Sequence, residues 1–230
     1  MAKRSTYHHG DLKAALVTTA LEVIAEQGIS ALSVAEVARR AGVSTAAPYR
    51  HFRSRKALLI ACAITAAERL TTSMLQAQDT LQHNNPDADG VEKTAVNAAV
   101  YTRFAAQYGS GFDLIFAEEL QGTDDQDLVS AGREAMDVLL RPAMDVTGGD
   151  ARHALQLLEH QIAAAHGYAT LLRSGLMNRR QATPDDVAQH AAEIAKSLAR
   201  EARAVQHDAA ATQTTCGDAA PPTAGVRSPR

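Results

Sequence analysis

Residues 33–56 read SVAEVARRAGVSTAAPYRHFRSRK, and their punctuation decides the fold. Ser33 is suited to an N-cap, with an oxygen free to accept a first-turn N–H. Val34, Val37, Ala38 and Ala41 follow at helical spacing and make one apolar face. Gly42 can adopt φ > 0 and end that helix. Val43 fills the angle to the next segment. Ser44 or Thr45 caps a second helix, in which Pro48 is tolerable only in the first turn, where its missing N–H is not needed. Ser54 then caps a third helix beginning Arg55-Lys56.

Cations at a helix N-terminus oppose the macrodipole, so Arg55 and Lys56 read poorly as helix stabilisers. They read well beneath a polyanion, where cations and free N–H groups share a phosphate. A helix, a glycine turn and a short helix starting with small polar residues form a helix-turn-helix. Small side chains let the backbone approach base edges. In this reading Tyr49, His51 and Lys56 grip phosphates, and Ser44, Thr45, Ala46 and Arg50 read bases. Ser33 and the cations of the N-terminal arm, Lys3 and Arg4, are further DNA-contact candidates; an arm that binds nothing is the alternative for the last two.

The stretch from Tyr7 to Ala63 resembles the N-terminal DNA-binding domain of the tetracycline-repressor (TetR) family. The resemblance is carried by Gly28, Ser33-Val34-Ala35-Glu36-Val37-Ala38, Ala41-Gly42-Val43-Ser44, Tyr49-Arg50-His51-Phe52 and Lys56-Ala57-Leu58-Leu59, about a quarter of the chain. Pro48 stands where the family more often has leucine. The opening Tyr7-His8-His9-Gly10-Asp11-Leu12 is similar to one subgroup. Ala165-His166-Gly167 resembles the Trp-His-Gly mark of a C-terminal class, although the chain has no tryptophan. The resemblance implies an all-α protein whose helix-turn-helix domain is followed by a helical effector-binding and dimerisation domain.

Composition agrees with that class. The 230 residues suffice for one or two domains with a real core, and the alanine-rich, aromatic-poor composition favours close-packed helices. Residues 1–56 carry nine Lys/Arg against four Asp/Glu; the remainder carries fourteen against twenty-two. A basic first quarter on an acidic body is expected to meet nucleic acid at one end only. No membrane span and no secretory signal are expected. Cys62 and Cys216 form neither a disulfide framework nor a zinc pattern, which suits a reducing cytoplasm. No metal site or cofactor is implied.

The domain boundaries expected are 1–56 for DNA binding (with the arm 1–6), 57–206 for the helical body and 207–230 for a disordered tail. The first helix spans about 11–27, packing Leu12, Leu16, Ala20, Val23 and Ile24. A long helix from about 54 to 81 bridges the two parts. Turn residues at 83–90, 109–111, 122–125 and 148–150 separate the helices that follow, including a short one over 112–120. Six of the nine aromatics lie between Tyr101 and Tyr168. Tyr101, Phe104, Tyr108, Phe112, Phe116, His166 and Tyr168 are therefore effector-pocket candidates; the alternative is that large residues fill gaps between alanine-rich helices. Leu155, Leu158, Ile162, Ala165, Ala169 and Leu172 recur at alternating three- and four-residue spacing, as do Val187, Ala191, Ile194 and Leu198. Such seams suit a four-helix interface between two copies, with Ala165 and Ala169 near its centre.

No phosphate loop, HExxH or Gly-x-Ser-x-Gly pattern occurs, so no enzyme is expected. The leading expectation is a homodimeric regulator, most simply a repressor, released from a palindromic double-stranded operator by a small-molecule effector. A helical ligand-binding or catalytic domain with an incidental basic end, and a DNA-binding regulator without a ligand, are the alternatives.

Overall fold

The computed structural model describes residues 9–109, 114, 117–177 and 181–216. Among the described residues the chain forms seven α-helices: α1 (His9–Gln27), α2 (Val34–Arg40), α3 (Arg55–Asn84), α4 (Gly90–Tyr108), α5 (Gln126–Val146), α6 (Ala151–Arg173) and α7 (Pro184–Cys216). Described 3-10 turns sit at Ile29–Ala31, Pro48–Arg50 and Glu118–Leu120. The all-α architecture and its order agree with the sequence reading.

Local chemistry fixes most helix ends. The Ser33 side chain accepts from the Glu36 N–H and Ser54 from Ala57 N–H, each at 3.1 Å. Asp89, Asp125 and Asp150 cap α4, α5 and α6 with their carboxylates. Thr183 and Asp186 cap α7 reciprocally: Thr183 N–H donates to Asp186 Oδ2 at 2.8 Å, and Asp186 N–H donates to Thr183 Oγ1 at 3.2 Å. Gly42 takes φ +68°, and Val43 N–H reaches back to Ala38 O at 3.0 Å, closing α2 in a glycine-terminated cap.

Two departures have plain causes. The segment after the turn is not an α-helix: Ala47 N–H bonds Ser44 O at 2.9 Å, and Pro48–Arg50 is a single 3-10 turn. Pro48 has no N–H to give the i−4 carbonyl, so the second helix of the motif cannot propagate through it. At the other end, α7 runs past the expected limit near residue 206 to Cys216; the Ala209-Ala210-Ala211 run there favours helix. Residues 217–230 lie outside the described residues.

α1, α2 and the start of α3 enclose one core, built on Leu16, Val23, Ile24, Val37, Phe52, Leu58, Leu59 and Cys62. Leu114 and Leu120, from the connection between α4 and α5, are buried in that same core. The DNA-binding unit thus borrows packing from the body, and α3 passes between them without a break at residue 56. The body is a bundle in which α4 lies centrally, packed most extensively on α7 and also on α3, α5 and α6. Gly90, at the start of α4, permits the closest approach: a Cβ there would stand 2.6 Å from Pro142 O of α5.

One helix, α3, meets the length and composition expected of a membrane span, with mean hydropathy 1.4 over 18 residues. Its apolarity serves the core, because Leu58, Leu59, Cys62, Ala63, Ala66, Ala67, Leu70 and Met74 are buried within the protein.

Candidate nucleic-acid interface and regulatory body

Ser44, Thr45, Ala46, Tyr49, Arg50, Arg53 and Lys56 are all exposed, and His51 is half-buried. Tyr49 is 56 % accessible, unusual for a large aromatic in a small domain. Among the described residues, no side-chain hydrogen bond or ion pair holds Arg50, Arg53 or Lys56. The rigid support lies beneath: Pro48 and Phe52 are buried, and Phe52 N–H donates to Pro48 O at 2.8 Å. Ser33 is exposed, but its oxygen is occupied as the α2 cap, leaving only its O–H to donate outward. Lys3 and Arg4 lie outside the described residues.

Two neighbouring arginines exchange the roles that sequence suggests. Arg55 turns inward. Its Nε donates to Leu32 O at 2.8 Å, one Nη to Ile29 O at 2.7 Å, and the other to Glu119 Oε2 at 2.5 Å. It therefore caps the 3-10 turn after α1 and ties it to the 3-10 turn of the body, and is not spare for a phosphate. Arg53, which sequence reasoning passed over, is the exposed one. The signal for it was present: an arginine between the buried Phe52 and the Ser54 cap has no inward route.

The remaining cations of the motif are also engaged. Arg39 and Arg40 both bond Glu36, and Arg40 spans to Glu26 of α1 at 2.6 Å. These two guanidinium groups hold the Glu36 carboxyl at about 2, far below its ordinary value. The opposite case is Cys62, whose thiol burial pushes up to about 12, making it inert.

The described effector candidates border separate openings. Tyr101 OH stands 3.5 Å from His166 Nδ1, with the rings edge-on. Tyr101 borders a void between α4, α5 and α6 of only about 10 Å³, room for about one water. Phe104 and Tyr108 pack with tilted rings, centroids 4.4 Å apart, and line a separate cleft of about 670 Å³ between α3 and α4. Tyr168 packs on His190 of α7. Phe112 and Phe116 lie outside the described residues. Tyr101 and Phe104, three residues apart on α4, share one core cluster but border different openings.

The expected seam also divides. Leu158, Ala165, Ala169, Val187 and Ala191 are already buried within one subunit, so they do not form an exposed face. Small residues there let the body's own helices close together; Ala165, Ala169 and Ala191 share a core cluster with Tyr101 and Phe104 of α4. Leu155 (47 % accessible) and Ile194 (37 %) remain outside, with Ile162, Leu172 and Leu198 half-buried. Val205 (59 %) extends the outer stripe of α7. A groove of about 700 Å³ between α6 and α7 runs along this side, lined by His153, His160, Leu198, Glu201 and Val205 among others. Among the described residues, no group of three or more His, Cys, Asp or Glu side chains is placed to hold a metal ion.

A helix-turn-helix unit with exposed cations, fused through one long helix to an α-bundle, defines a DNA-binding regulator. Residues 16–62 match the family described as bacterial regulatory proteins, tetR family, and residues 95–195 match the tetracyclin repressor-like C-terminal domain. The HTH-type transcriptional regulator BetI of Rhizobium meliloti (strain 1021) is 51 % identical over 47 residues, which is 20 % of this chain and 23 % of that one. A protein of unknown function from Rhodococcus sp. RHA1 is 30 % identical, with a TM-score of 0.66 over 84 % of this chain and 98 % of that one. A tetR-family regulatory protein from Rhodococcus RHA1 has a TM-score of 0.59 at 18 % identity, covering 81 % and 96 %. The regulator FadR from Bacillus subtilis, solved in complex with stearoyl-CoA, has a TM-score of 0.54 at 20 % identity, covering 80 % and 98 %. The chain belongs to the TetR family of DNA-binding transcriptional regulators. The Trp-His-Gly subgroup rests on Ala165-His166-Gly167 alone.

Proposed function

We propose that the protein is a homodimeric cytoplasmic repressor that occupies a two-fold symmetric operator and leaves it when a small molecule binds the helical body. The observation that carries this reading is mechanical. The body's Leu114 and Leu120 are part of the DNA-binding unit's core, and Glu119 holds Arg55. A ligand that favours a different body conformation must therefore disturb the support of the recognition segment, which is the differential affinity that release requires.

On DNA, Thr45, Ala46 and Arg50 face base edges, while Tyr49, His51, Arg53 and Lys56 meet phosphates. One such unit makes too few contacts for a unique site, so two copies bind with recognition segments about 34–36 Å apart, or a multiple. The outer stripe of Leu155, Ile194, Leu198 and Val205 is the surface that a second copy would cover. A gel shift on the DNA upstream of its own gene tests the reading. Two subunits per site and displacement by a small molecule are the expected results. One subunit per site, or no sequence preference, would overturn it. A regulator without a ligand is the second reading, favoured by the closure of the void beside Tyr101.

A further inference from the structure

Three openings meet at one side chain. Arg69 of α3 lines the cleft of about 670 Å³ shared with α4, a second cleft of about 570 Å³ bounded by α1 and α5, and a small recess formed with Leu21, Ala66, Phe104 and Tyr108. Among the described residues its guanidinium makes no hydrogen bond or ion pair. Its helix neighbours do not use it: Ser73 Oγ donates to the Arg69 carbonyl, which leaves the side chain free to turn into the cleft.

We infer that this cleft is the effector site, and that it takes an organic anion with a hydrophobic body, the acidic group on Arg69 and the body against Phe104 and Tyr108. The inference rests on the proposed release by a small molecule and names its place and chemistry. The volume is that of an ordinary small-molecule site. A guanidinium offers a planar fork of donors matched to carboxylate, sulfonate or phosphate. The opposing charges are Glu68, which borders both clefts, and Asp127 and Glu134, which border only the second; Arg69 alone among the charged groups also adjoins Phe104 and Tyr108 in the recess, so an apolar body lying against those two rings in the cleft brings its head to Arg69. Arg103 adds a second cation at the same cleft, although Asp185 already pairs with it at 2.5 Å. Position supplies the link to DNA. The recess, of about 10 Å³, holds no more than a water, but Leu21 of α1 lines it beside Arg69, so a movement of the Arg69 side chain on binding is felt at the core of the DNA-binding unit.

The test uses one alkyl chain with three heads: dodecanoate, dodecanol and dodecyltrimethylammonium, each kept below its micelle concentration and titrated into the full-length protein by calorimetry. Dodecanoate should bind once per subunit. Arg69→Ala should weaken it by about tenfold to a hundredfold, with Arg103→Ala weaker in effect. Thr72→Trp, an exposed position on the cleft wall, should block binding while operator affinity stays unchanged. The site is wrong if the trimethylammonium binds as tightly as the acid, or if neither Arg69→Ala nor Thr72→Trp alters dodecanoate binding. A gel shift separates the two proposals. Operator release by dodecanoate in Arg69→Ala and Thr72→Trp would sink the site and keep the repressor reading; Arg69-dependent binding without release would keep the site and sink that reading.

Discussion

The recognition end leaves Thr45, Ala46, Tyr49, Arg50, Arg53 and Lys56 in solvent on a short, tightly turned segment. The pair α6 and α7 carries a regular apolar stripe, yet Leu158, Ala165, Ala169, Val187 and Ala191 face inward and Leu155 and Ile194 face out. Chemistry at the first region is local: caps, a glycine turn and a proline set the backbone within some twenty residues. At the second, which side of a helix is buried depends on α4, a helix some sixty to a hundred residues distant in sequence. The contrast makes a sharp prediction. Ala169→Glu puts a charge without a partner into the subunit's own core and should cost about 3–5 kcal/mol of stability, seen as an unfolded or barely folded chain in urea melts. Ile194→Glu should leave the melt of the subunit nearly unchanged and raise the dimer dissociation constant on the order of a hundredfold in sedimentation. If instead Ala169→Glu folds as a stable monomer, the inner and outer faces are assigned the wrong way round.

That division marks what the sequence discloses. Helix order, the caps at Ser33 and Ser54, the core positions of α1 and the family were all readable, because capping and 3.6-residue periodicity act over one or two turns. Around Pro48 a short α-helix was expected with the proline in its first turn, where the structure has a single 3-10 turn. The body was less readable for a physical reason. A heptad pattern reports that a face is apolar, not whether it meets its own chain or a second one. The aromatics likewise group in sequence, but α4 sends Tyr101 to a void of one water's size and Phe104 to a cleft. Arg55 shows the same limit within the motif itself, since its partner Glu119 lies 64 residues away.

The exposed end can be challenged at the bases and phosphates separately. Arg50→Ala should cost about 1–3 kcal/mol on the preferred operator and change the sequence recovered by binding-site selection. Lys56→Ala and Arg53→Ala should each weaken all sequences alike and lower the salt slope by about one. Recovery of an unchanged site with Arg50→Ala would demote it to a phosphate contact. A normal salt slope for Arg53→Ala would return that residue to plain surface.

Arg55 probes the seam between the regions. Arg55→Ala strands the Ile29 and Leu32 carbonyls and should destabilise the DNA-binding unit by about 1–2 kcal/mol, read by thermal or urea melts. Glu119→Gln removes only a partly exposed ion pair and should cost below about 1 kcal/mol. Its larger signature should be in coupling: operator affinity without effector falls little, while the effector concentration needed for release shifts. An effector response identical to wild type in both variants would show that the contact supports the fold and transmits nothing.

The smallest effect belongs to Glu36, where the motif's cations fold back on themselves. Arg39 and Arg40 lower its carboxyl from about 4.5 to about 2, chiefly through direct hydrogen bonds. A depressed folded-state value means that the folded form favours the ionised carboxylate. The contribution is therefore complete above pH about 4.5 and fades as pH falls toward 2. The group sits at the surface, where water and salt screen the pairs, so the effect is modest. Glu36→Gln keeps the side-chain shape and removes the titration. Urea midpoints of wild type and variant, compared at pH 6, 5, 4 and 3 (about one unit apart, bracketing the ordinary carboxylate range), should differ most at the two higher values and draw progressively closer at pH 4 and pH 3, closing only toward pH about 2. Added salt should shrink the gap at pH 6 as well. A gap that stays constant from pH 6 to pH 3 would mean that Glu36 acts by shape at the start of α2, and that the arginine pairs contribute nothing to holding the recognition unit together.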